Sequence, residues 1–91
     1  MNPEEEVNEE DKMWIVAMGE TFEHLRIKSG STSYASFAHE HRLDKTHYGR
    51  IEKGQNMRDK TMRKITKIHG IRMSDYYSLV EKKFEENKKK K

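Results

Sequence analysis

A compact all-α fold of five helices follows from three features of the amino-acid sequence. Apolar residues recur at helical spacing, as Ile15, Met18, Phe22 and Leu25 do at i, i+3, i+7 and i+10, and no useful stretch alternates with period two. The one proline, Pro3, stands at the extreme N-terminus, so no ring interrupts a helix downstream. Capping and stopping residues (Ser33, Asp44 and Ser74; Gly30, Gly54 and Gly70) separate the periodic segments. The 91 residues suffice for one domain, and with 38% of them charged against 32% hydrophobic its core must be small.

Residues 1–10 hold only Val7 as an interior apolar residue and read as an acidic, flexible segment, mobile or only partly helical. The folded domain is expected over 11–87. Its first helix starts at Asp11 and stops at Gly30. The loop Ser29-Gly30-Ser31-Thr32-Ser33 offers Thr32 or Ser33 as a cap for a second helix at about 33–41. After a break at Arg42-Leu43, Asp44 caps a third helix at about 44–53, which Gly54 ends in the left-handed conformation. The fourth helix runs from about Arg58 to His69, with Met62, Ile65 and either Ile68 or His69 turned inward. Ser74 is expected to cap the fifth, whose apolar residues are Tyr76, Tyr77, Leu79, Val80 and Phe84. Residues 88–91 form a basic tail, expected to fray.

A net charge of +3 conceals an asymmetry. Residues 1–23 carry eight acids against Lys12, a balance of −7, and the remainder carries +10. A body so basic is suited to a polyanion.

Several function classes drop out. Without cysteine there is no disulfide framework, cysteine zinc site or thiol nucleophile. His39 and His41 lie two apart, roughly 200° around a helix, so they face opposite sides, and no metal site is expected. His47 is expected to be exposed on the third helix, and His69 to sit at a helix end where the dipole favours its cation. No strand-turn-helix setting for a serine nucleophile and no glycine-rich phosphate loop is present, so neither an enzyme nor a cofactor is expected. No apolar run approaches the roughly 18 residues of a membrane span and no signal peptide is evident; the chain reads as soluble and cytoplasmic, with no membrane partner.

The informative segment is Ser33 to Gly54, whose spacing describes two short helices crossing steeply across a tight turn. Ala38 is small where they touch, and Phe37, Leu43, Tyr48 and Ile51 supply the apolar contacts. With Tyr48 and Ile51 inward, Lys45, Thr46, Gly49 and Arg50 point outward, on a face that packing alone leaves unconstrained.

This segment resembles the helix-turn-helix of Cro and lambda-type phage repressors, the xenobiotic-response-element-like family. Leu25-Arg26, Ala38 and Arg50-Ile51-Glu52-Lys53-Gly54 carry the likeness, continued by Ile65, Lys67, Gly70-Ile71 and Met73-Ser74-Asp75-Tyr76, over about residues 13–82. The resemblance implies a lambda-repressor-like domain whose third helix enters the major groove of double-stranded DNA. It assigns base reading to Lys45, Thr46, Gly49 and Arg50, backbone contacts to Lys53, Asn56 and Arg58, a backbone or outer-base contact to Tyr34, and a structural pair to Arg26 and Glu52. Arg50 can pair bidentately with guanine O6 and N7, worth about 1–3 kcal/mol of discrimination. The sequence departs from the family at Arg42, where the turn usually holds glycine, and in one extra residue within Ser31-Thr32-Ser33.

A transcriptional regulator occupying an operator is the expectation that results. Tyr76, Val80 and Phe84 are candidates for a homodimer seam, since relatives bind pseudo-palindromes with half-sites about 34 Å apart. The alternative is a protein-interaction module, such as the antitoxin partner of a toxin–antitoxin pair, docking through the fifth helix or the acidic head.

Overall fold

In the computed structural model, which describes residues 8–90, the first helix begins before its apolar period does. Asn8 Oδ1 accepts the Asp11 N–H at 2.7 Å, and Glu9, Glu10 and Asp11 fill the first turn, where the helix dipole favours negative charge. Helix α1 therefore spans Glu9–Lys28, starting two residues before Asp11 in the segment read as mobile or only partly helical. Residues 1–7 of that segment lie outside the described residues. The basic C-terminus shows the same effect, since α5, Met73–Lys89, runs into the residues expected to fray, with Lys88 and Lys89 in its last turn. Between them lie α2, Tyr34–Glu40, α3, Lys45–Glu52, and α4, Asp59–Ile68. Among the described residues there is no strand.

Ser33 and Asp44 cap as expected: Ser33 Oγ accepts from Ser36 N at 3.3 Å and Asp44 Oδ1 from His47 N at 2.7 Å. Ser74 does not. The N-cap of α5 is Arg72, whose Nε reaches Asp75 Oδ2 at 3.5 Å, so Ser74 lies inside the first turn.

The first four helices end alike. After each C-cap residue, two backbone N–H groups fold back in the 6→1 and 5→2 pattern. In α1 Ser31 N donates to Arg26 O and Gly30 N to Ile27 O; in α3 Gln55 N donates to Arg50 O and Gly54 N to Ile51 O. The pattern needs a left-handed residue, and Gly30, Gly54 and Gly70 supply it with φ of 99°, 100° and 67°. At the end of α2 the residue is Arg42, with φ of 57°, while Leu43 N donates to Ala38 O at 2.8 Å. The turn keeps the geometry that glycine would give and bears a left-handed cost of about 1–2 kcal/mol.

Helix α1 packs against α5, α3 and α2. Phe22 stacks on Tyr76 with ring centres 4.3 Å apart, and the Tyr76 hydroxyl donates to the Met18 carbonyl at 3.0 Å. Trp14 meets Phe84 edge-on at 5.4 Å. Ala17, Met18, Phe37, Ala38, Tyr48, Ile51, Met62, Ile65 and Val80 complete the buried set. Tyr76, Val80 and Phe84, read as a candidate dimer seam, are thus core residues. Each lies on the face of α5 turned to α1, so none is free for a second copy.

His69 also departs from expectation. It is the C-cap of α4, but its ring is half-buried, stacked on Phe37 at 5.3 Å and on Phe22 at 6.5 Å, with Nε2 buried and unpartnered. Burial, and then the neighbouring His41, lower its pKa; Glu52 opposes them more weakly. Desolvation disfavours the cation that a helix end would favour.

Two expectations follow. An unfolded histidine takes up its proton near pH 6.5, whereas His69 in the fold does so only at lower pH. Its contribution is complete above that ordinary value and is lost as pH falls through it towards the folded value. Thermal melts between pH 7.5 and 5.5 should show wild type losing more stability than His69→Phe, which keeps the stack and cannot titrate; parallel losses would refute the assignment. Arg42→Gly should stabilise by about 0.5–1 kcal/mol in urea denaturation, the relief of left-handed strain less the greater freedom of unfolded glycine.

Candidate nucleic-acid interface

Helix α3 is fixed on its inner side by three kinds of contact. Tyr48 and Ile51 are almost fully buried, and Tyr48 packs on Phe37 of α2 with ring centres 5.2 Å apart. Gly19 of α1 lets the backbones meet: a Cβ there would run into the Ile51 carbonyl oxygen and come within 2.9 Å of that of Glu52. Finally, Arg26 and Glu52 form a two-pronged pair, Nε to Oε2 at 2.8 Å and Nη2 to Oε1 at 3.1 Å. Both side chains are about 95% buried, with relative exposures of 6% and 4%.

The remaining donor Nη1 of Arg26 bonds the Ser31 carbonyl at 2.8 Å, which ties the loop entering α2 to the same guanidinium. Hydrogen bonding to Glu52 raises the Arg26 pKa further, against the lowering effect of burial. The Tyr48 hydroxyl is buried without a hydrogen-bond partner of its own, and burial and then Glu52 push its pKa well above the ordinary phenol value.

The outer side carries no packing. Lys45, Thr46, His47 and Arg50 are exposed on α3, as is Lys53 at its C-cap. Glu52 is the helix's one acid and it points inward, so the outward face presents donors without a carboxylate. Among the described residues no ion pair engages Lys45, Arg50, Lys53 or Arg58. Asn56 and Arg58 are exposed in the connection to α4, beside this face in sequence. Lys45, Thr46, Arg50, Lys53, Asn56 and Arg58 are all accessible to a partner.

Gly49 is not. It is buried, and an added Cβ would lie 2.8 Å from Cε2 of Tyr34 and 3.1 Å from its Cδ2. The expectation that Gly49 points to solvent overlooked the first residue of α2, whose ring covers it. Tyr34 itself remains 37% exposed.

On the other flank, a cleft of about 160 Å³ between α3 and α4 is lined by Arg42, Asp44, His47, Thr61 and Lys64 among others. Lys64 is a base that the sequence did not attach to this surface, because nothing in α4 alone says which side meets α3. The role of Gly19 was equally hidden: a helical glycine signals close approach only once its neighbour is known.

Compared with protein-family models, with curated proteins and with solved structures, the chain matches none. Among the described residues no helix is long and apolar enough to cross a membrane.

Glu52→Ala should cost about 3–5 kcal/mol in urea denaturation, since it strands a buried guanidinium. Replacing both partners by methionine should cost much less, because no charge is then left unpaired. A double variant as unstable as Glu52→Ala would assign the loss to packing rather than to the orphaned charge.

Proposed function

We propose that the protein is a sequence-specific double-stranded DNA-binding protein, a lambda-repressor-like domain that regulates transcription by occupying an operator. The observation that carries this reading is the division of α3 into two faces. Its inner face is locked by Tyr48, Ile51 and the Arg26–Glu52 pair, and its outer face offers Lys45, Thr46 and Arg50 with no carboxylate among them. A rigid helix roughly 10–12 Å across, bearing exposed donors, fits a major groove about 12 Å wide. Arg50, exposed in the last turn of α3, carries the planar fork that would read guanine. Lys53, Asn56 and Arg58, at the C-terminal end and beyond, suit phosphate contacts, which fix register without carrying sequence information.

The protein-interaction alternative drew on the apolar residues of helix five. With Tyr76, Val80 and Phe84 in the core, Leu79 is the one large apolar side chain still exposed on α5. The outer face of α3 is the better supported surface.

Selection of bound duplexes from a random library at physiological salt should enrich a motif, with two-fold symmetry if two copies act together. Arg50→Ala should relax the preference at one base position, while Lys53→Ala should weaken all sequences alike and reduce the salt slope by about one. Binding that is weak, salt-sensitive and without any enriched motif would defeat the proposal and favour a protein partner.

A further inference from the structure

The α3 face contains one feature that phosphate attraction does not explain. Lys45, Gly49 and Lys53 form a single row, at i, i+4 and i+8, along the side of the helix next to α2. The middle place has no side chain of its own. It is occupied by the ring of Tyr34, whose Cε2, Cδ2 and Cζ lie 2.8, 3.1 and 3.3 Å from where a Gly49 Cβ would be. These contacts leave Tyr34 as much as 37% exposed, although it is a large aromatic residue.

Tyr34 is held there by its own helix. Ser33 caps α2 with Oγ accepting from Ser36 N, so Tyr34 is the first helical residue. Three and four residues on, Phe37 and Ala38 are buried, which fixes the rotation of α2 and brings its first turn against α3. The glycine and the tyrosine act as one unit: any side chain at Gly49 would displace the ring.

We infer that Tyr34 is a base-reading residue: its ring stands in for the side chain missing at Gly49 and reads the 5-methyl edge of a thymine lying between the base served by Lys45 and the phosphate served by Lys53. This rests on the DNA-binding reading above and narrows the part Tyr34 plays in it, from a phosphate or outer-base contact to a specificity determinant for one thymine. The chemistry follows from what the ring presents. The thymine methyl is the one apolar group on a major-groove base edge, and apolar side-chain contact is how it is read. A phenol gripping a phosphate would need only its hydroxyl and would have no reason to lie across the reading helix.

The test uses the intact chain and the operator selected from the random library. Replacing each thymine of that operator in turn by deoxyuridine removes one methyl group and needs no protein variant. One replacement should weaken wild-type binding about fivefold or more, and Tyr34→Ala should lose that sensitivity while keeping the preferences at other positions. Tyr34→Phe should behave as wild type. Gly49→Ala should lose the same preference as Tyr34→Ala, and the double variant should be no worse than either, the sign of a coupled pair. Uniform weakening by Tyr34→Ala with every base preference intact, or Tyr34→Phe matching Tyr34→Ala, would overturn the inference and return Tyr34 to the phosphate, leaving DNA binding itself in place. A wild-type selection without any motif would overturn both.

Discussion

The buried pair of Arg26 and Glu52 is the interaction on which the arrangement of the first three helices depends. It joins the last turn of α1 to the last turn of α3, and the third bond of the guanidinium, to Ser31, holds the loop that leads into α2. Removing two charges from water costs several kcal/mol for each ion, so such a pair is tolerable only when nearly every donor and acceptor is used. Here both carboxylate oxygens and three guanidinium nitrogens are bonded. An apolar pair of similar volume would hold the helices together as well. The pair sets their rotation more narrowly, because a two-pronged bond has one satisfactory geometry and hydrophobic contact has more.

Rotation is what the outer face of α3 requires. Side chains around a helix are 100° apart, so turning α3 by one residue's angle would bury Arg50 or Lys45 and expose Tyr48 or Ile51. Gly19 removes the freedom that remains. By admitting the Ile51 and Glu52 carbonyls against its own backbone, it sets the α1–α3 separation at a value that no other residue allows. The exposed donors of α3 are then presented by a helix that cannot roll or withdraw.

The turn between α2 and α3 shows a second economy of form. Four helices end in the same backbone motif, and three of them use glycine at its left-handed position. Arg42 takes up that conformation without glycine's freedom, held by the Leu43 bond to Ala38 and by the burial of Phe37 and Ala38 just before it. Local strain persists because the packing on both sides over-determines the turn. What the chain gains is a guanidinium at the edge of the α3–α4 cleft, facing the side on which His47 and Lys64 lie.

The sequence by itself determined the helices, their order and most of their ends, because apolar period, caps and helix stops are local properties of a few adjacent residues. It also determined that Lys45, Thr46 and Arg50 oppose Tyr48 and Ile51, since angular position on a helix is arithmetic. It did not set the outer bounds of α1 and α5, where charge matched to the helix dipole extends them beyond their apolar residues. Only the tertiary structure decided what covers what. Gly49 lies under Tyr34, His69 stacks on two phenyl rings, and Tyr76, Val80 and Phe84 face α1 rather than a second copy. The reason is the same in each case: periodicity tells which way a residue points along its own helix, but burial depends on which other helix arrives there, and that is settled by contacts between residues far apart in the chain.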